Sequence, residues 1–147
     1  MANLVVIRQP QPPEYHSVRR LIESVATETF RELFAPNPVP LEFAGDDWSL
    51  TWVAVSNQTI VGVVLTREEW VSDLWVLPES RRRGVGSRLL AMGESEIAAR
   101  GHKICRLRVV KSNQVAVRFY LRRGWKVHRE FPHEKYNHAM LELSKPG

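Results

Sequence analysis

The stretch that decides the fold is LWVLPESRRRGVGSRLL, residues 74–90. An apolar run ends at Pro78, three arginines and two closely spaced glycines follow, and an apolar helical pattern then begins. A short loop between a strand and a helix lets successive backbone N–H groups converge at the positive end of the helix. Gly84 and Gly86 lack the Cβ atoms that would keep a phosphate away, and arginine offers a fork of donors to phosphate oxygens. The stretch therefore predicts a cradle for a diphosphate.

Three familiar phosphate-binding loops do not match this stretch. The dinucleotide fingerprint requires a third glycine where Leu89 stands. The nucleotide P-loop requires four residues between its glycines and a lysine after them, whereas Val85 alone separates Gly84 from Gly86. A protein-kinase glycine loop requires lysine and catalytic-loop motifs that the chain lacks. The pattern that remains is Arg-x-x-Gly-x-Gly, which begins at Arg81.

Patterns on either side of this stretch predict an α/β sheet of mixed direction, in the order β-α-βββ-α-β-α-ββ. Runs rich in apolar and β-branched residues predict strands at 4–8, 50–56, 60–67, 71–77, 104–110, 125–131 and 138–143. Helical periodicity predicts helices at 14–33, 86–100 and 115–123. The prolines at 36, 38 and 40 indicate an extended connection. The nearly continuous apolar character of Ile104–Val110 favours a strand that is buried on both faces.

The composition is that of one soluble domain. With 147 residues, 44% of them hydrophobic and 25% charged, the chain can bury one core, so we expect a single domain over residues 1–147. No apolar run approaches the roughly 20 residues that span a bilayer, and the first residues lack a basic leader. Cys105 is the single cysteine and cannot form an internal disulfide. We therefore expect a cytoplasmic protein without a membrane partner.

The net charge of +5 predicts an acidic partner. Three of the five surplus charges lie together at Arg81, Arg82 and Arg83. Binding to nucleic acid instead favours basic residues interleaved with aromatic ones across a whole face. A small polyphosphate ligand therefore accounts for most of the excess, and no nucleic-acid partner is expected.

Two further motifs accompany the arginine and glycine loop. Before it, Leu74-x-Val76-x-Pro78 resembles the fourth strand of the GNAT superfamily of acyl-CoA-dependent acyltransferases. After it, residues 113–125 are similar to that family's Asn-x-x-Ala-x-x-Phe-Tyr-x-x-x-Gly-Phe block, with Trp125 in place of the last phenylalanine. The resemblance is specific over residues 71–127. It implies the GNAT fold, which is a mixed, mostly antiparallel central sheet flanked by helices on both faces. It also implies an N-acetyltransferase that moves acetyl from acetyl-CoA directly to a primary amine of a small molecule, peptide or protein.

The resemblance also assigns the residues that hold the coenzyme. Backbone amides of the loop bind the pyrophosphate, main-chain groups of the fourth strand pair with the pantetheine arm, and a bulge in that strand splays it from the fifth. The residues implied are Leu74, Val76, Arg81, Arg82, Arg83, Gly84, Val85, Gly86, Ser87 and Asn113. The alternatives are a solvated arginine run, core side chains on the strand, and a helix N-cap at Asn113. The last two are compatible with coenzyme binding.

Tyr120 matches the tyrosine that protonates the departing thiolate in many members of the family. A phenol with a pKa of about 10 can deliver a proton to a thiolate whose pKa is about 8.5 or higher. The alternative is a packed aromatic side chain. A backbone N–H at residues 74–76 is expected to stabilise the oxyanion.

The general base is harder to assign, because Trp70 stands where the family commonly has a glutamate. Asp73 is the first choice, since it lies within the strand, and Glu69 is the second. The alternative is that these side chains and Glu68 are surface carboxylates.

Several functional alternatives stay open at this point. The missing glutamate favours a sensor that binds acyl-CoA without turnover, whereas Tyr120 favours an enzyme. A longer acyl-CoA, a hydroxyl acceptor and a homodimer are compatible with the same motifs. No metal is expected, because the spacing of His128, His133 and His138 is unfavourable for one. Residues 133, 134 and 136, in the last loop, are candidate acceptor contacts, but the sequence does not identify the acceptor.

Overall fold

The computed structural model describes residues 4–33, 47–134 and 137–147. The strands are β1 (Val5–Arg8), β2 (Thr51–Ser56), β3 (Thr59–Arg67), β4 (Trp70–Val76), β5 (Ile104–Val110), β6 (Lys126–Pro132) and β7 (Ala139–Pro146). The α-helices are α1 (Tyr15–Leu33), α2 (Val85–Ala99) and α3 (Gln114–Arg122). The predicted element order is confirmed. The three prolines at 36–40 and Tyr136 lie outside the described residues.

The strands form one sheet in the order β1-β2-β3-β4-β5-β7-β6. Every neighbouring pair is antiparallel except β4 and β5, which are parallel. The prediction of a mixed, mostly antiparallel sheet is therefore confirmed. Within the described ranges, no helix combines the length and the apolar character that a bilayer crossing requires.

Helices cover both faces of the sheet, as predicted. The buried residues of α1 pack against Val53, Val63 and Trp75 on one face. Leu89 and Leu90 of α2, together with Val117 of α3, belong to the core on the opposite face. A Cβ atom at Gly62 of β3 would lie 2.7 Å from Leu89 Cδ1, so the glycine lets α2 approach the sheet closely. This close packing positions the first turn of α2 beside the end of β4.

One burial prediction is wrong. Strand β5 is buried mainly on the face beneath α2, where Cys105, Leu107 and Val109 belong to the core, and on the other face only its last residue, Val110, is buried. On the other face Arg106 is half-buried and Arg108 is exposed. The physical reason is that α1 packs on β2, β3 and β4, so in the described part of the chain no helix lies over this side of β5. The two arginines alternate with the apolar residues, which is the pattern of a half-buried strand.

Candidate functional site

Strands β4 and β5 are joined only at their beginnings. Trp70 pairs with Arg106, and the Arg106 N–H donates to the Glu69 carbonyl over 2.8 Å. No further pair of residues connects these two described strands. Strand β4 carries a bulge at Ser72, because Val71 and Asp73 are opposite consecutive residues of β3. The two strands therefore separate from Trp70 onward and leave a split in the sheet.

Main-chain groups of Leu74 and Val76 line the β4 side of this split. The Leu77 N–H donates to the Val61 carbonyl over 2.9 Å, which makes these two residues a hydrogen-bonded pair. In an antiparallel ladder, hydrogen-bonded pairs alternate along the strand, so Asp73 and Trp75 also turn their main-chain groups toward β3. Leu74 and Val76 then turn theirs toward the split, where β5 is not paired with them. An extended ligand arm could add there as an extra strand.

The loop between β4 and α2 presents a row of backbone donors. A single 3-10 turn at Pro78–Ser80 follows the strand, and α2 begins after Gly84. The N–H groups of residues 82–87 donate no hydrogen bond of good geometry to any other described residue. Six unpaired donors at a helix N-terminus favour an anion, because the helix dipole adds a positive potential there.

Gly84 and Gly86 are needed for different reasons. Gly84 has φ +78°, a left-handed backbone conformation that glycine adopts readily. A Cβ atom added there would meet nothing within 4 Å, so a glycine is favoured by the backbone conformation and not by a lack of space. An added Cβ at Gly86 would lie 3.3 Å from the Phe119 ring, so this glycine lets α3 pack against α2. Arg82 also has a positive φ of 65°, a strained conformation of the kind found at ligand sites.

Four arginine side chains surround the loop. Those of Arg82 and Arg83 are exposed, and Nε of Arg81 donates to the Val76 carbonyl over 3.3 Å. Arg123, which the sequence analysis did not identify, comes from the end of α3. Its Nε donates to Ser87 Oγ over 2.7 Å, and its guanidinium lies 3.8 Å from the centre of the Phe119 ring. The contact with Ser87 places a further cation beside the row of backbone donors.

Asn113 is the N-cap of α3. Its side-chain oxygen accepts from the Ala116 N–H over 3.3 Å. The N-cap alternative is therefore present in the structure. The amide NH₂ group of Asn113 is not used by this contact and can still donate to a ligand.

Tyr120 of α3 is half-buried and packs against the core on the face of α2 and α3, with its ring 5.3 Å from that of Phe119 and 6.1 Å from that of Trp125. Burial raises the pKa of the Tyr120 hydroxyl well above its usual value, and the charge of Asp73 raises it further. The hydroxyl therefore stays protonated at neutral pH, as a proton donor must.

Asp73 is half-buried on the face of the sheet that α1 covers. Burial raises the pKa of its carboxyl group, while a hydrogen bond from Trp75 Nε1 (3.1 Å) and the charge of Arg67 act in the opposite direction. A carboxylate with a raised pKa is a stronger base than one in water. The raised pKa suits a general base, and the assignment of that role to Asp73 stays a prediction.

The other two carboxylates lie at the closed end of the split. Glu69 precedes Trp70, where β4 and β5 are still paired. Glu68 is exposed, with Oε2 3.3 Å from His102 Nε2. Three residues of extended chain separate Glu69 from the bulge at Ser72, which is about 10 Å. Glu69 therefore lies at the closed end of the split, and its role as a base stays a prediction.

Trp125 replaces the motif's last phenylalanine and is almost completely buried. Its indole N–H donates to Glu94 Oε2 over 3.2 Å, and Lys145 Nζ donates to the other oxygen of Glu94 over 2.8 Å. The indole N–H, a donor that phenylalanine lacks, is therefore satisfied by a partly buried carboxylate.

A second group that the sequence analysis missed lies beside the split, on the side of β5 that no described helix covers. It consists of Trp70, Arg106, Arg108, Arg129, Phe131 and Glu142, which come from β4, β5, β6 and β7. The alternation of Arg106 and Arg108 with buried apolar residues was the signal in the sequence that could have identified it. We call these six residues the arginine face.

A sheet split between the one parallel pair among its described strands, with a row of helix-terminal donors beside it, is the arrangement of the GNAT fold. Residues 15–125 match the sequence profile of the acetyltransferase (GNAT) family. The chain belongs to this family.

Named relatives agree with this assignment. The chain is 30% identical over 96 residues to the uncharacterized N-acetyltransferase YafP of Escherichia coli strain K12, covering 60% of this chain and 64% of that protein. It is 33% identical over 84 residues to the aminoalkylphosphonate N-acetyltransferase of Salmonella typhimurium, covering 50% and 54%. The chain thus matches less than two thirds of the length of each relative.

A solved structure shows the same fold. Arabidopsis thaliana Naa50, in complex with the bisubstrate analogue CoA-Ac-MVNAL, superimposes with a TM-score of 0.72 at 19% identity. The alignment covers 96% of this chain and 97% of that one. At this identity the likeness establishes the fold.

Proposed function

We propose that residues 1–147 form a single N-acetyltransferase domain that transfers acetyl from acetyl-CoA to a primary amine. One observation carries the proposal. The split beyond Trp70 exposes the main-chain groups of Leu74 and Val76, and it leads to the unpaired N–H groups of residues 82–87. An extended arm that ends in a diphosphate is complementary to both parts. Membership of the GNAT family supports coenzyme A as that ligand.

In this proposal the coenzyme is held mostly by backbone. The N–H groups of residues 82–87 bind the pyrophosphate, and the main chain of Leu74 and Val76 pairs with the pantetheine arm. Arg81, Arg83 and Arg123 supply positive charge around the diphosphate. The side-chain NH₂ of Asn113 donates to the coenzyme from the start of α3.

Asp73 and Tyr120 divide the proton transfers between them. The bound thioester supplies an activated acetyl carbonyl. Asp73 accepts a proton from the ammonium group of the acceptor, because an amine with a pKa near 10 must be deprotonated before it attacks. The N–C bond forms as the C–S bond breaks, and the Tyr120 hydroxyl donates its proton to the leaving sulfur. The acetylated nitrogen then loses its second proton, which restores the Tyr120 hydroxyl, and Asp73 releases the first proton to solvent. An N–H of Leu74 or Val76 stabilises the carbonyl oxygen, because these are the donors of β4 that face the split.

The acceptor is proposed as an amine of a small molecule, peptide or protein. The Salmonella relative, by its name, acetylates aminoalkylphosphonates, and the Arabidopsis structure holds an analogue that joins CoA to a peptide. Both kinds of acceptor carry a primary amine. A cytoplasmic location belongs to the proposal and rests on the single, buried Cys105.

Calorimetry and a thiol-release assay test the proposal together. Acetyl-CoA should bind the purified protein, and acetyl-pantetheine, which lacks the diphosphate, should bind much more weakly. Free thiol should then appear when a panel of primary amines is added. Equal affinity for the two thioesters would contradict the diphosphate cradle. Binding of acetyl-CoA without thiol release from any amine would instead indicate a sensor.

A further inference from the structure

The arginine face contains three guanidinium groups and one buried carboxylate. Glu142 is 3% exposed, and each of its oxygens is already engaged. Arg106 Nη1 donates to Oε2 over 3.1 Å, and Arg129 Nη2 lies 3.2 Å from Oε1. Both oxygens of the carboxylate therefore face other residues, and its single negative charge offsets only one of the three guanidinium charges on this face.

Arg108 is the guanidinium left without a carboxylate. It lies opposite Glu142 in the pairing of β5 with β7, yet no described acidic side chain forms an ion pair with it. Its guanidinium carbon lies 5.0 Å from the centre of the Trp70 ring and 5.4 Å from that of Phe131. Contacts with two rings hold the group by cation–π attraction and leave its N–H donors free.

A second cation increases the positive potential at this position. The guanidinium carbon of Arg129 lies 4.4 Å from the centre of the same Phe131 ring. Two cations on one ring repel each other, and Glu142 offsets only part of that repulsion. An anion next to Arg108 would lower the electrostatic energy of the whole group.

The register of the sheet places Arg108 beside the proposed reaction centre. Trp70 and Asp73 lie on the face of β4 that α1 covers, and Arg106 and Arg108 lie on the same face of β5. The pair that joins these strands is Trp70 with Arg106. Asp73 lies three residues after Trp70 along β4, and Arg108 lies two residues after Arg106 along β5. The two side chains thus lie on opposite sides of the split, on one face and at a similar level. Paired strands are about 4.8 Å apart and these two widen from that spacing, so a molecule that contacts both side chains must span a wider gap.

We propose that Arg108 recognises an oxyanion on the acceptor, so that the substrates are primary amines bearing a carboxylate, phosphonate or phosphate a few bonds from the nitrogen. This rests on the proposed function, because it assigns the acceptor to the same split. The oxyanion binds the fork of Arg108 between Trp70 and Phe131, and the amine then lies toward Asp73. Arginine suits this role because its donors match planar and tetrahedral oxyanions in a fixed geometry.

Matched acceptors and matched variants test the proposal. The kcat/KM is measured with acetyl-CoA for β-alanine and 2-aminoethylphosphonate, and for propylamine, which has no anion. Two peptide amides, one beginning with aspartate and one with asparagine, differ only in the charge of the first side chain. Comparing their rates with those of the small amines shows whether the oxyanion belongs to a peptide or to a small molecule. The variants are Arg108→Gln, Arg108→Lys and the control Arg118→Gln, which removes the same charge from an exposed position on α3.

The wild type should have a higher kcat/KM for an anionic acceptor than for its neutral counterpart. Arg108→Gln should lower kcat/KM for the anionic acceptor about tenfold to a hundredfold, because a charged hydrogen bond is lost. The kcat/KM for propylamine should change by less than about twofold. Arg108→Lys should recover part of the preference, and Arg118→Gln should keep all of it. Equal rates for anionic and neutral amines in the wild type would overturn the proposal, and so would an equal loss for both in Arg108→Gln.

A binding measurement separates this proposal from the proposed function. With saturating CoA, β-alanine or 2-aminoethylphosphonate should raise the melting temperature of the wild type but not that of Arg108→Gln. Stabilisation without any turnover would refute the catalytic assignment and leave the oxyanion site supported. Turnover of neutral amines without a stabilising effect of any anionic amine would refute the oxyanion site alone.

Discussion

Trp70 of β4 pairs with Arg106 of β5, and beyond this pair the two strands separate. The separation leaves main-chain groups of Leu74 and Val76 facing an open slot, and the slot leads to the unpaired amides that precede and begin α2. The same pair also begins the arginine face, because the Trp70 ring lies against Arg108. One strand pair therefore sets the position of both the proposed coenzyme slot and the proposed acceptor site.

Replacing Gly84 by alanine should weaken coenzyme binding. Gly84 and Gly101, at opposite ends of α2, both have a positive φ and nothing within 4 Å of an added Cβ. Alanine at either position should cost about 1–2 kcal/mol of unfolding free energy, since the left-handed backbone is unfavourable for it. Urea denaturation should show similar losses for Gly84→Ala and Gly101→Ala, whereas calorimetry should show weaker acetyl-CoA binding only for Gly84→Ala. Equal affinities would mean that the backbone at Gly84 does not shape the cradle.

Replacing Tyr120 by phenylalanine should slow turnover about a hundredfold or more, because a general acid contributes about 10²–10⁴ to the rate. Coenzyme affinity should change little, since the ring remains packed against Phe119 and Trp125. Tyr15→Phe is a suitable control, because Tyr15 also packs on an aromatic ring, that of Trp48. Unchanged turnover in Tyr120→Phe would remove the proposed role of the hydroxyl.

The pH dependence of kcat/KM should report on Asp73. A base must be deprotonated to act, so activity should fall as pH drops through the pKa of Asp73, which burial raises. The Trp75 hydrogen bond lowers this pKa, so Trp75→Phe should move the acidic limb of the profile to higher pH. Asp73→Asn should abolish that limb, and Glu69→Gln should leave it in place. A limb that persists in Asp73→Asn but disappears in Glu69→Gln would exchange their roles.

The indole of Trp125 should be coupled energetically to Glu94. In a double-mutant cycle of Trp125→Phe and Glu94→Ala, followed by chemical denaturation, the coupling should be about 1.5–3 kcal/mol, as for hydrogen bonds to charged groups. Additive losses of stability would show that the tryptophan contributes only its volume.

Much of the fold could be predicted because local signals agree with the tertiary structure. Asn57 and Gln58, both with positive φ, form the tight hairpin turn that their position between two strand patterns predicts. Asn113, which the motif suggested, caps α3. Such features depend on neighbours in the sequence, and so they can be recognised without a structure.

The remainder depends on contacts between distant segments. The position of the split follows from the pairing of Trp70 with Arg106, which no local pattern specifies. Arg123 reaches Ser87 over 36 positions of sequence, and Arg108 lies between rings from two other strands. The burial of β5 was overestimated, because the alternation of Arg106 and Arg108 becomes informative only once the structure shows that no described helix lies over their side of the strand.

The central claim is that the amides of residues 82–87 and of Leu74 and Val76 bind the coenzyme. Amide chemical shifts of ¹⁵N-labelled protein, recorded during titration with acetyl-CoA, test it most directly. We predict that these resonances shift and saturate together, while that of Gly101, at the far end of α2, stays unchanged. Saturable binding that leaves the amides of residues 82–87 unperturbed would contradict the account.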